Sequence, residues 1–213
     1  MKNKTKGSGN GRSGRQSSFS VMVIALCVLF AGMGFVCFRL RGGVQVKPSR
    51  DGDILPETEI VFYRQDDERW EEDYLGDSAY TMGSSGCLVS CIASALSMES
   101  GREVTPGTLN AKFSGGGVYD AEGNLQWEAL SGLQEYQVDV YGEVSAKMID
   151  DCLAKGHYPV VRVRMYVLGN IHYVLIVGAK DGRYLCMDPL KDGITELSYC
   201  GSRVYAIRCV SEP

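Results

Sequence analysis

His172-Tyr173-Val174-Leu175-Ile176-Val177-Gly178-Ala179-Lys180-Asp181-Gly182-Arg183-Tyr184-Leu185-Cys186-Met187-Asp188-Pro189 reads as two strands joined by a tight turn. Both runs are rich in β-branched and aromatic residues, and Gly, Asp and Pro bound them. Ala179 to Arg183 has the form of a three-residue hairpin loop, a type I turn with Gly182 in the left-handed position. If Ala179 pairs with Arg183, Val174 faces Asp188 and His172 faces Leu190. His172 and Asp188 then share a sheet face as diagonal neighbours, with Cα atoms roughly 7–8 Å apart. A strict two-residue turn shifts the register by one and sends them to opposite faces, so the loop type bears on whether histidine meets acid.

Strand signals continue on either side. Pro159 to Met165 precedes the hairpin, and Ile194 to Leu197 and Arg203 to Cys209 follow it, separated by short polar turns such as Lys191-Asp192-Gly193. Upstream of Gly156 the pattern is helical. Leu88, Ile92 and Leu96 recur at helical spacing up to Gly101, with Ser84 or Ser85 as N-cap. Thr105-Pro106 opens a second helix, and Gln126 to Tyr136 and Ser145 to Ala154 suggest two more. Glu59 to Tyr63 alternates as a short strand, and the triple glycine after Ser114 breaks into a loop. Helices first and an antiparallel sheet second make an α+β fold.

The helical half carries the residue that gives the hairpin its interest. Cys87 follows the small-residue run Ser84-Ser85-Gly86 at the start of a helix. A helix amino terminus and a nearby imidazolium both stabilise a thiolate. Cys87, His172 and Asp188 therefore supply a nucleophile, a base and an orienter. Gly86 puts no side chain in the way of an incoming peptide, and Pro189 biases Asp188 towards extended backbone. The backbone N–H of Cys87 and the side-chain amide of Gln65 are the candidate oxyanion donors, the second on condition that the intervening loop folds back. His157 sits in a helix-to-strand turn without a partner acid. Trp70 and Trp127 read as core, and Asp120, Glu122 and Asn124 as an exposed turn.

Charge divides the chain. Nine of the 22 Lys and Arg, and none of the 26 Asp and Glu, precede residue 51, so the remainder carries 13 basic and 26 acidic residues, a net of −13. Such a domain repels nucleic acid and anionic cell-wall polymers and suits a neutral or basic peptide. Phe19 to Phe38 holds no charge, long enough to cross a hydrocarbon core, and Lys2, Lys4, Lys6, Arg12 and Arg15 precede it. The expected organisation is a basic cytoplasmic tail over 1–18, a retained signal-anchor over 19–38, a flexible tether over 39–57 and an extracytoplasmic domain over 58–213. The apolar run exceeds a signal peptide's h-region, and neither Cys27 nor Cys37 follows the small residue a lipid-modified cysteine wants.

Of the other cysteines, Cys91 and Cys152 read as small buried apolar residues, and Cys186, Cys200 and Cys209 are open to bridging in several combinations. No cysteine pair has zinc-site spacing, and neither a metal nor an organic cofactor is required.

The blocks Gln65-Asp66-Asp67-Glu68-Arg69-Trp70, Gly86-Cys87, His172 to Gly178 and Asp188-Pro189 resemble the papain-like cysteine peptidases. Within them the likeness is to the bacteriocin-processing, double-glycine leader peptidases. The resemblance spans about Val61 to Pro189 and implies Cys87 as nucleophile, His172 as base, Asp188 as orienter and Gln65 as oxyanion donor. Leu88 stands where a glycine is commoner, and Gln65 lies further from the cysteine than in the leader peptidases. The function implied is peptide hydrolysis through a thioester. A cell-wall amidase or endopeptidase of similar fold, and an inert peptide-binding module, are the alternatives. Gly42-Gly43 just beyond the apolar run raises self-cleavage after Gly43, against the simpler reading of a linker.

Overall fold

The computed structural model describes residues 13–49, 52–56 and 58–213, so residues 1–12 of the expected tail and residues 50, 51 and 57 of the expected tether lie outside it. Two units separate at Arg41/Gly42. The first contains helix α1 (Ser13–Leu40), whose segment Ser20–Leu40 has mean hydropathy 2.7 and is long and apolar enough to cross a membrane.

The second unit is α+β. Its sheet has six antiparallel strands: β2 (Gln137–Val140), β3 (Val160–Arg164), β4 (Ile171–Lys180), β5 (Arg183–Met187), β6 (Ile194–Glu196) and β8 (Ala206–Ser211), ordered β2-β8-β3-β4-β5-β6. Helix α3 (Cys87–Ser100) packs on β4 and β8. Every residue of α3 from Val89 to Met98 is buried, as a helix enclosed on all sides requires. Gly101 ends it in the left-handed conformation, φ 66°, and returns its N–H to Ser97. Ile92 and Leu96 of α3 meet a core that includes Leu175, Ile176 and Met187. Burying each such side chain contributes about 1.5–3 kcal/mol.

The hairpin reaches the expected register by a different route. Lys180 pairs with Arg183, which leaves a two-residue turn, and Asp181 (φ 50°) and Gly182 (φ 72°) both take positive φ. That is the type I′ geometry an Asp-Gly pair favours, not the three-residue loop expected. Alone it would put histidine and acid on opposite faces. However, β4 carries one extra residue between Ile176 and Gly178, so Ile176 faces Cys186 and Leu175 faces Met187. This bulge restores the register that the longer loop would have given. It sits where another segment docks: Ile54 and Ala179 exchange backbone hydrogen bonds of 2.8 and 2.7 Å, and a Cβ on Gly178 would lie 2.4 Å from the Ile54 carbonyl.

The expected flexible tether belongs largely to this folded unit. β1 (Val44–Gln45) pairs with β7 (Arg203–Val204), Val46 is buried, and the Ser49 N–H donates to buried Asp150 at 2.9 Å. The Gly43 carbonyl accepts from Arg203, and a Cβ there would strike Arg203 and Tyr205. The bond after Gly43 is thus held at a strand edge, not offered as the free chain that self-cleavage needs.

Other elements shift in detail. Residues 59–63 form no strand, and α4 (Pro106–Gly115) follows its Thr105 cap. The segment 126–136 yields only α5 (Trp127–Gly132) before turning into β2, and α6 (Ala146–Ala154) is capped by Ser145. A 3₁₀ turn over Leu197–Cys200 ends β6, and Tyr205 breaks the last strand into β7 and β8.

Candidate active site

Cys87 is the first residue of α3, but the helix is not capped as expected. Thr81 caps a separate short helix, α2 (Met82–Ser85), by accepting from the Ser84 N–H, and Gly86 joins the two helices without a side-chain cap. Gly86 answers an internal constraint, since a Cβ would lie 2.5 Å from the Met82 carbonyl and 2.8 Å from its thioether. The join leaves the first amides of α3 without helical acceptors.

Gln65 reaches this join. Its backbone N–H donates to the Pro189 carbonyl at 3.0 Å, and the Trp70 indole donates to the Arg64 carbonyl at 2.9 Å, so the loop folds back as the sequence required. The buried Gln65 side chain donates Nε2 to the Gly83 carbonyl at 2.7 Å. In an unbroken helix that carbonyl would take the N–H of Cys87. Here Gln65 takes it, and among the described residues no acceptor holds the Cys87 N–H. One amide hydrogen of Gln65 also remains free to donate.

His172 and Asp188 meet as the register implies. Nε2 lies 2.7 Å from the Asp188 carboxylate, and both side chains are buried. Asp188 also accepts the Leu190 N–H at 2.9 Å. With Nε2 engaged, Nδ1 is the nitrogen left for the thiol. Burial pulls the imidazole's pKa down, but Asp188 and then Cys87, as hydrogen-bond and charge partners, outweigh it and raise the value to about 9. Burial likewise opposes the Asp188 charge, yet His172 and the Leu190 N–H hold its pKa below the usual carboxylate value. The pair is built to carry an imidazolium.

Among the six cysteines of the folded unit, Cys87 alone is not buried. Cys91, one turn further along, points its thiol at the Tyr173 carbonyl, and burial pushes its pKa up, as it does for Cys186. A cleft of about 280 Å³ opens beside Cys87, with Tyr80, Leu88, Tyr119, Glu122, Leu125 and Tyr173 among its walls. Asp120 organises one wall by accepting the Glu122 and Asn124 N–H groups, so the exposed turn read from sequence borders the site. Tyr80 and Tyr173 escaped that reading because an aromatic in a loop or strand looks like core.

Gln65, His172 and Asp188 thus gather near the start of α3, and of the four residues singled out Cys87 is the one that lines the cleft. Comparisons with protein-family models, characterised proteins and solved structures returned no match to this chain.

Proposed function

We propose that the folded unit is a papain-like cysteine peptidase, held to a membrane by α1 with the catalytic domain on the extracytoplasmic side. The observation that carries the reading is the buried His172–Asp188 pair, 2.7 Å apart, with a partly exposed thiol at a helix terminus as the imidazole's other electrostatic neighbour. His172 Nδ1 takes the thiol proton and the sulfur adds to the substrate carbonyl. The Cys87 N–H and the free Gln65 amide hydrogen receive the oxyanion. As the C–N bond breaks, His172 returns the proton to the leaving amine, leaving a thioester. Water then adds, giving its proton to His172, and cleavage of the C–S bond returns that proton to sulfur.

The test is reaction of the full-length chain in detergent with iodoacetamide, alongside hydrolysis of a denatured protein substrate. Cys87 should alkylate faster than free cysteine at pH 6, and Cys87→Ala should lower hydrolysis by about 10³-fold or more. Alkylation at an ordinary rate, unaltered in His172→Ala, would overturn the peptidase and leave a binding module.

A further inference from the structure

Beside the site lies a group of arginines that the peptidase reading does not use. Strand β3 reads Val160-Val161-Arg162-Val163-Arg164, so alternation turns Val161 and Val163 to the core and sets Arg162 and Arg164 on the other face. In β8, Arg208 faces Val160 and Ala206 faces Arg162, which brings Arg208 to that same face, diagonal to Arg162. On the other side Arg162 faces Tyr173 in β4, close enough for its charge to act on the Tyr173 hydroxyl. Tyr173 lines the Cys87 cleft, and the Arg208 guanidinium lies 5.5 Å over Trp127, just beyond the loop that walls it.

Among the described residues this cluster has no carboxylate partner, in a domain with twice as many acids as bases. Arg64, Arg69, Arg102 and Arg183 each pair with a carboxylate. Among the described residues Arg162, Arg164 and Arg208 pair with none, and the Nε of each is buried without an acceptor. Arg164 spends one Nη1 bond on the Gly169 carbonyl and Arg208 one on the Ile207 carbonyl. Burial, and after it the charge of Arg162, lower the Arg208 pKa despite the opposing effect of Tyr173. Buried donors without acceptors and adjacent like charges are both unfavourable, and a carboxylate relieves both, because a guanidinium offers it two parallel N–H groups.

We propose that Arg162 and Arg208, with Arg164 at the strand's end, form a subsite for the aspartate or glutamate side chain of a peptide lying in the Cys87 cleft. The assignment of that peptide as substrate rests on the peptidase reading. Net charge governs encounter at long range, whereas this subsite acts on docked chain, so the expectation of a neutral or basic peptide gives way to one carrying a single acid at a fixed position.

The probes are fluorophore-labelled alanine hexapeptides with glutamate walked through each position, and their glutamine twins, bound to the full-length Cys87→Ala chain in detergent. At one position glutamate should bind about ten-fold or more tightly than glutamine. Arg162→Met and Arg208→Met, each added to Cys87→Ala, should erase the advantage, and Arg162→Lys should retain part of it. Equal affinity of the twins at every position overturns the subsite without touching hydrolysis, and that comparison does not depend on the arginine variants folding. A glutamate preference in a chain whose wild type hydrolyses nothing supports the carboxylate site and overturns the peptidase.

Discussion

The chain's two histidines each have an acid and a thiol for company, in opposite settings. His172 lies 2.7 Å from Asp188, both buried, beside the exposed edge of a sulfur at a helix terminus. His157, expected to have no acid, lies 3.2 Å from Glu99, and its side chain is 41% exposed. Its nearby thiol, Cys152, is buried 2.8 Å from the Cys209 sulfur, with the Tyr141 hydroxyl at 3.1 Å. Cys209 therefore has Cys152 as its neighbour, a residue the sequence suggested was inert packing.

The acids differ as much as the thiols. Burial raises the Glu99 pKa and outweighs His157, whereas His172 and a backbone N–H outweigh burial at Asp188 and lower its pKa. One acid is held ionised to support a cation; the other is pushed towards neutrality. The residue types alone do not make a catalytic set. On the proposed reading, access to the sulfur, free amides beside it and a charged orienter do.

The sharpest way to break the comparison is Asp188→Asn, which keeps the side chain's size and removes its charge. Hydrolysis should fall by about 10⁴-fold, the order seen when a buried triad aspartate is neutralised. The pH profile should move with it. With His172 raised to about 9, wild-type kcat/KM should hold to that pH and fall above it. In Asp188→Asn the alkaline limb should shift down.

Stability follows the same signs. The folded pKa of His172 exceeds its ordinary 6.5, so its contribution is whole below 6.5 and lost as pH rises towards 9. The Asp188 contribution is present above its ordinary 3.8 and lost as pH falls through its lower folded value. Thermal melting between pH 6.5 and 9 should lose its slope in Asp188→Asn. A slope unchanged there would mean the pair carries no cation.

How much of this was legible depended on whether one segment or several carried the signal. Alternation and turn residues marked strands β3 to β5, and apolar periodicity marked α3, because each pattern is local. The three residues proposed as a triad were legible for the same reason, each sitting in or beside a recognisable element. The hairpin shows the limit. Asp181-Gly182 pointed to a tight turn, but the bulge after Ile176 depends on Ile54, which docks from far upstream. Two local errors, a longer turn and no bulge, cancelled in the register of His172 and Asp188. Val44 to Ser49 is too short to carry a pattern of its own, so only β7 and Asp150 reveal that it is folded. The Cys152–Cys209 contact and the arginine face likewise come from distant strands and helices meeting.

Gln65 sharpens the comparison on the donor side, because among the described residues no side-chain amide lies beside Cys152 as Gln65 does beside the start of α3. Gln65→Ala removes one proposed oxyanion donor and frees the Gly83 carbonyl to draw in the Cys87 N–H. kcat should fall by about 10²–10³-fold with little change in KM, since the loss acts on the developing charge. Cys87 should still alkylate, which separates donor loss from a collapsed helix start. A fall in alkylation to match the fall in kcat would assign Gln65 to folding alone.

The smallest expected effect belongs to the second set. His157→Gln should change hydrolysis less than about two-fold and stability by about 1 kcal/mol or less, the range of a partly exposed ion pair. The thiol beside it should behave unlike Cys87. In the reduced native chain Cys152 should alkylate slowly, being buried. With glutathione disulfide, Cys152 and Cys209 should lose their two hydrogens to it and join, the two glutathiones leaving as thiols, while Cys87 stays open to iodoacetamide. By the chain-entropy account, closing this loop, whose ends are 57 positions apart, is worth about 4 kcal/mol. The readouts are the linked peptide by mass spectrometry and a raised melting temperature. Rapid alkylation of Cys152, or a bridge from Cys209 to another cysteine, would erase the distinction between a thiol kept for chemistry and one kept for structure.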